Sequence, residues 1–288
     1  MWLYNLSRFG KVNKVNPSKT IMQDNQPFYK TMYGSSPLVA AAIHDGQAVR
    51  ENISHLFALT APERLREEDP CTAYWTSITD NKIIGLHSRF ELDLNRPRDK
   101  AIYQKPEDAW GLQVWREELP AEIVQESLTR YDHFYESVKI MLSEIQEQHG
   151  SFVVYDLHTY NHRRDGADAP EADPAQNPDI NIGTGNMDRQ RWAPVVDAFI
   201  DSLSSYDYQG RKLDVRENVK FQGGHFMRWI HDEFPDSACV LSIEVKKFFM
   251  DEWTGKTDRE QLEEIKQALE QTITPVMQAL EQVRQNTH

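Results

Sequence analysis

The chain has 288 residues with 32 Lys+Arg against 45 Asp+Glu, a formal net charge of −13, which excludes a polyanion such as nucleic acid as its general partner. That length allows one large α/β domain or two small ones, of which one is expected, and two cysteines, Cys71 and Cys239, exclude a disulfide framework or a Cys-x-x-Cys zinc cluster. No apolar run approaches the ~18 residues of a membrane span, and the start "MWLYNLSRFGKVNKV" lacks the apolar centre of a secretory signal, so no membrane partner and a cytoplasmic setting are expected.

Residues 1–35 are polar and irregular, and read as an N-terminal extension laid on the surface of a domain spanning 36–288. The first strand is expected in "PLVAAAIH" (37–44), a near-continuous apolar run that stops at His44, as parallel strands do when helices cover both sheet faces. "RLREEDP" (64–70) is an acidic helix end carrying Glu67, Glu68 and Asp69. "KIIGLHSRFELDL" (82–94) reads as a second strand. Its period of two puts Ser88, Phe90, Leu92 and Leu94 on one face and Arg89, Glu91, Asp93 and Asn95 on the other, with Arg96 at the exit. Val124, Leu128, Tyr131, Tyr135, Val138, Leu142 and Ile145 recur at steps of four and three, the stripe of an amphipathic helix.

"SFVVYDLH" (151–158) is a third buried strand and ends at His158. It runs into "NHRRDGADAPEADPAQNPDINIGTG" (161–185), rich in Pro, Asp and Gly and without apolar period; long loops of this kind inside a compact domain are often functional. Trp192, Val196, Phe199 and Leu203 mark another helix, and "ACVLSIEVK" (238–246) a fourth strand. Thr257 and Glu260 stand in capping-box spacing before a last helix through Leu262, Ile265, Leu269, Ile273 and Val276, which Pro275 is expected to kink or divide. Strands alternating with helices predict an α/β fold, a single layered domain with a mostly parallel sheet covered by helices, and ligands gathered beyond the carboxyl ends of the strands.

A lone histidine at a strand exit is more often structural than a ligand. His44 and His158 share that context, and two imidazoles at neighbouring strand ends make a pair of zinc ligands, which a carboxylate from Glu67, Glu68 or Asp69 would complete. No HExxH stands in the chain, so the inference rests on strand ends converging rather than on spacing. Glu244 interrupts an apolar strand, where an ionised carboxylate is costly unless paired or facing a polar cleft. Either Lys246 or an arginine pairs it, or it serves as a base beside metal-activated water. The arginine-rich segment admits two readings as well. One is ordinary ion pairs at a sheet edge; the other is a carboxylate clamp in which Arg96 grips bidentately, Asn95 adds an amide donor, Arg89 polarises a carbonyl and Asp93 orients an arginine.

"AIHDG", "EDPCTAYW", "SRFELDLNRP", "YDLHTYNH", "FQGGHF" and "LSIEVKKFFMDE", in that order over roughly residues 36–256, resemble the N-formylglutamate amidohydrolase family. The "DLNRP" block is also similar to the carboxylate-binding element of the wider zinc carboxypeptidase and aspartoacylase group. The resemblance implies a phosphorylase/hydrolase-like α/β core that binds one zinc ion and hydrolyses the amide of a small anionic N-acyl amino acid. It implies His44, Asp69 and His158 as metal ligands, Glu244 as the catalytic carboxylate with Arg89 beside it, and Asn95 and Arg96 as the grip on the substrate carboxylate. Gly223 and Gly224 match a glycine turn lining the site. The chain departs from the family in writing "IHDG", with Asp45 where a small hydroxyl is usual, and "EEDPCT", which leaves Glu68 as an alternative to Asp69. Two other functions use the same residues: a noncatalytic metal-dependent module that captures an acidic amino acid or peptide C-terminus, and a carboxypeptidase-like or desuccinylase-like enzyme with a larger acyl substrate.

Overall fold

The structure, a computed structural model, describes residues 27–286. In chain order its main elements are β1 (Tyr29–Met32), β2 (Leu38–Ala42), α1 (Glu51–Ser54), α2 (Ala61–Glu67), α3 (Thr72–Trp75), β3 (Asn81–Gly85), α4 (Ala121–His149), β4 (Phe152–Tyr160), β5 (Ile180–Gly183), α5 (Ala193–Ser205), β6 (Val215–Glu217), α6 (His225–Glu233), β7 (Ala238–Lys246) and α7 (Arg259–Gln285). The strands form one mixed sheet of seven in the order β1-β3-β2-β4-β7-β5-β6. The central run β3-β2-β4-β7 is parallel, β1 and β5 join it antiparallel to β3 and β7, and β6 lies parallel to β5. No helix among the described residues is long and apolar enough to cross a membrane.

Strand periodicity decides which helices each residue meets. Val153, Tyr155 and Leu157 of β4 and Leu241, Ile243 and Val245 of β7 point to the face covered by α5 and α7, where they pack with Val196, Phe199, Ile265 and Leu269. Phe152 and Val154, with Ala238 and Val240, point to the opposite face and pack with Phe134, Val138 and Met141 of α4 and Phe226 and Ile230 of α6. The same alternation continued to the carboxyl ends brings Asp156 and His158 of β4 onto the α4/α6 face beside Ser242 and Glu244 of β7.

Several sequence expectations need correcting. Within the presumed extension, Tyr29–Met32 form the edge strand β1; the first 26 residues of that expectation lie outside the described residues. The second strand ends at Gly85 rather than 94. From Ser88 onward the backbone closes turns on itself, Glu91 N to Ser88 O at 2.9 Å and Asp93 N to Ala101 O at 2.7 Å. The alternation did not mark an exposed face, because Glu91 and Asp93 of the polar set are as buried as Phe90, Leu92 and Leu94. β5 lies in the segment read as loop; four residues are too few to display a period, and their pairing is supplied by β7. The cap of α7 is Asp258, whose carboxylate accepts from the N–H groups of Glu260 and Gln261. Pro275 does not divide α7: Ser202 Oγ of α5 donates at 3.3 Å to Gln271 O, the carbonyl a proline leaves without its helical donor.

The turn after β3 is pinned by a buried ion pair. Arg50 Nε lies 2.6 Å from Glu91 Oε1, its backbone N donates at 3.0 Å to Glu91 Oε2, and His87 Nδ1 lies 3.1 Å from the same oxygen. Both charged side chains are fully buried. Removing only the cation strands a carboxylate in the interior, which typically costs ~3–5 kcal/mol. Arg50→Met is therefore expected to lower the urea midpoint by that equivalent, and a midpoint within ~1 M of wild type would show the pair to be dispensable.

Candidate active site

The strand exits position two of the key side chains, and the loop after α2 the third. His44 follows β2, Asp69 follows α2, and His158 lies near the end of β4. Asp69 N donates to His44 O at 3.0 Å, which ties the α2 loop to the exit of β2. Thr159 Oγ1 donates to Asp69 Oδ1 at 3.0 Å, so Oδ2 is the oxygen turned toward the rings. His44 Nδ1 lies 3.3 Å and His158 Nδ1 3.0 Å from that oxygen. Behind the rings, His44 Nε2 is 2.7 Å from Asp93 Oδ1 and His158 Nε2 is 3.0 Å from Asp156 Oδ1. One ligand atom from each of His44, Asp69 and His158 falls within 4.8 Å of the others, and all three residues are buried.

This arrangement can hold a divalent metal ion. The donor set is two imidazole nitrogens and one carboxylate oxygen, with a carboxylate behind each ring to fix its orientation. His44 Nδ1 is buried with Asp69 Oδ2 as its polar neighbour at 3.3 Å, a geometry too loose to satisfy the nitrogen fully and one that a cation between the two would complete. Burial works against the charge on Asp69, yet the hydrogen bonds and charges of His158 and His44 hold its carboxyl far below the usual range. Burial likewise disfavours a charged His158, but Asp156 and Asp69 raise its pKa well above the ordinary value. In Glu244 burial wins and lifts the carboxyl to about 7, with Asp69 and Asp156 adding to the effect and His158 opposing it. Glu244 is the β7 register partner of His158.

These groups open onto a cavity of about 230 Å³ that Arg89, Asn95, Gly223 and Gly224 also line. Arg89 donates from Nη2 to Asp93 Oδ2 at 2.8 Å and stacks 5.0 Å above the Trp110 ring. Burial disfavours its charge, but Asp93 keeps the guanidinium protonated, its pKa well above the ordinary value. Asn95 accepts at Oδ1 from Phe226 N at 2.9 Å, at the start of α6, and its Nδ2 is left 3.5 Å from His158 Nε2. Any side chain at position 224 would overlap the Asn95 carboxamide, and Gly223 has φ +107°, which favours glycine.

Asp93 is the hub of this wall. It accepts from His44, Arg89, Tyr103 and the Asn95 backbone N–H, and although burial opposes ionisation, Arg89 and His44 hold its carboxyl well below the ordinary range. Arg96 differs from the expectation of a bidentate clamp. Its guanidinium donates to Asp108 O at 2.7 Å and packs 4.8 Å over the Tyr103 ring, and it is not among the cavity-lining residues. The turn at 94–97 replaces the expected strand and sends the side chain behind Asp93, 3.6 Å away. Glu68 is turned away from the rings and accepts from Ser88 Oγ, while burial pushes its carboxyl up to about 7.

Glu67, one of the three carboxylate candidates, lines the cavity, and sequence reasoning missed Trp110, Asn161, Arg164 and Lys247, which line it as well. Arg164 sits on the loop after β4 and donates from Nη2 to Glu67 Oε2 at 3.0 Å; the position of that loop after "DLH" was the available signal. For Lys247 the signal was a second lysine at the exit of an apolar strand. Its Nζ donates to Arg66 O at 2.6 Å and Glu68 O at 2.8 Å, and burial draws its ammonium down to about 8. Nothing in the sequence around Trp110 pointed to the cavity.

Fold and site together define an α/β protein with a buried His–Asp–His centre in a polar cavity at the carboxyl ends of its parallel strands. Residues 36–249 match the N-formylglutamate amidohydrolase family. The chain belongs to that family, and its role is that of an amidohydrolase. It resembles the crystal structure of N-formylglutamate amidohydrolase from Ralstonia eutropha JMP134, with a TM-score of 0.67 at 18% identity over 91% of this chain and 100% of the other. It also resembles gene product Atu2144 from Agrobacterium tumefaciens, with a TM-score of 0.64 at 17% identity over 89% and 97% of the two chains. No curated protein matches the chain.

Asp45, beside His44, adds a testable electrostatic cost. It accepts from Ala73 N at 2.9 Å, yet burial raises its carboxyl from 3.8 to about 6. The folded state thus binds this proton more tightly than the unfolded chain. The stability it confers is full below pH 4 and is lost as pH rises through about 6. Asp45→Asn, which keeps the acceptor, is expected to leave metal-free stability unchanged at pH 4 and to raise it at pH 7 by ~2 kcal/mol. Urea titrations at the two pH values in chelator check this, and equal stability of the two proteins at pH 7 would contradict it.

Proposed function

We propose that the protein is a zinc-dependent amidohydrolase that cleaves the linear amide of an N-acyl acidic amino acid similar to N-formylglutamate. The observation that carries this reading is the meeting of His44 Nδ1, His158 Nδ1 and Asp69 Oδ2 around one point, with Glu244 beside His158 in the β4–β7 register. When bound by these three ligands, zinc supplies a Lewis acid that activates water and polarises the scissile carbonyl.

The chain's own groups do the rest. Asn95 Nδ2 holds the substrate carboxylate, its carboxamide aimed by the α6 N-terminus and its space kept by Gly224. Gly223 completes the turn that lets that backbone line the cavity. Arg89, locked in place by Asp93 and Trp110, stabilises negative charge developing on the amide oxygen. Arg96 contributes from behind, as a further cation on Asp93. Glu244 takes the proton from the attacking water and returns it to the leaving nitrogen. A carboxyl lifted to about 7 suits that exchange, since it can both accept and donate a proton near neutrality.

Purified protein is expected to contain one zinc ion per chain and to hydrolyse at least one member of a panel of N-formyl, N-acetyl and N-succinyl acidic amino acids. Chelator should abolish turnover and added Zn²⁺ restore it. Absence of any zinc affinity would refute the reading. Glu244→Gln is expected to keep zinc and substrate binding and to lose hydrolysis, which separates an enzyme from a binding module, because binding alone does not require this carboxylate. For Arg89→Ala, steady-state kinetics should show kcat reduced by ~10²–10³ with the fold retained; full activity on the best substrate would remove Arg89 from its assigned role.

A further inference from the structure

Three lysine or arginine side chains line the cavity, and two of them are neutralised by the protein. Arg89 is paired with Asp93 at 2.8 Å and Arg164 with Glu67 at 3.0 Å. Lys247 is different. It is 1% exposed, and among the described residues no carboxylate oxygen lies within 4.0 Å of its nitrogen. An ammonium has three N–H donors; two go to the carbonyls of Arg66 and Glu68, and no third acceptor stands within hydrogen-bond distance among the described residues. The carboxylates of Asp69, Glu67 and Glu252 act on it only from beyond contact distance, so the buried ammonium lacks a direct ion-pair partner, and the cost of its burial falls when an anion enters the cavity beside it.

We infer that Lys247 binds a second carboxylate of the substrate, so that the site selects N-acyl amino acids with an acidic side chain over those with a neutral one. The inference rests on the proposed reaction for the identity of the substrate, and it adds the residue that sets the preference. Geometry favours this position. Lys247 lies directly after β7, the strand that carries Glu244, and borders the same cavity as Asn95, so a substrate held at one end by the carboxamide has a cation available for its other end. The two carbonyl bonds hold the ammonium in place before the substrate arrives, which reduces the ordering cost of binding. They also raise the competing reading, in which Lys247 only props the loop that leads to Asp69.

Calorimetry with two unreactive probes separates these readings without any turnover. Wild-type protein is titrated with glutarate and with its monoamide, which replaces one carboxylate by a neutral group of the same shape. A charge-assisted contact should make glutarate bind roughly ten- to a hundredfold tighter. Lys247→Met should bring the two probes to equal affinity by weakening glutarate alone, and Lys247→Arg should retain most of the preference. Lys247→Gln carries the same comparison if the methionine variant does not fold. Equal binding of both probes by the wild type, or an equal loss for both in the variants, would overturn the inference and assign Lys247 to loop support. Hydrolysis is assayed separately: a protein that prefers the diacid through Lys247 but cleaves no N-acyl amino acid would refute the reaction and keep the subsite.

Discussion

Parallel pairing between β4 and β7 runs from Phe152↔Ala238 to Tyr160↔Lys246, and the chemistry of the molecule depends on its register. Both strands are buried on both faces, so the register is held by two apolar layers at once, one under α5 and α7 and the other under α4 and α6. A slip of one residue would exchange the faces of a strand and would carry either His158 or Glu244 to the α5/α7 side. The apolar core is thus what keeps a ring and a carboxylate side by side at the strand ends, far more than any contact they make with each other.

At those ends the protein gathers charge that the interior would ordinarily reject. Asp69, Asp93 and Asp156 are all buried around two imidazoles, with Glu244 adjacent. The balance is arranged in layers. Asp93 is offset by Arg89 and His44, while Asp69 is left facing two ring nitrogens. A divalent cation at that point would complete the compensation, and the outer carboxylates would keep both rings aimed at it. The cost of assembling such a cluster falls on folding, and the large two-sided core offsets it. Asp45 and Glu68, both with raised carboxyl pKa values, show the same tension at the margin of the site.

The long buried strands were readable because their apolar runs are continuous and end abruptly at ionisable residues; β2, β4 and β7 lie where the pattern put them. Helices α4 and α5 followed from their stripes for the same reason. Short strands were not legible. β5 and β6 have four and three residues, too few to separate a period of two from loop composition, and they exist because β7 offers an edge to β5 and β5 in turn offers one to β6. The segment 88–97 misled through its alternation: buried polar residues mimic an exposed face when each of them has a partner from elsewhere in the chain, as Glu91 has in Arg50 and Asp93 in His44.

His44, His158 and Glu244 could be picked out from sequence because each breaks an apolar run at or near its end, a position where a charge has no local reason to be. Sequence also bounded the charge, the layered α/β class and the family resemblance. Tertiary structure alone decided which acidic residue of "REED" meets the rings, that Arg96 turns behind the wall while Arg89 faces the cavity, and that Arg164 and Lys247 belong to the site at all. The physical reason is that these outcomes depend on the direction of side chains leaving turns and loops. That direction is set by hydrogen bonds to residues distant in the chain, and no periodicity in the sequence records it.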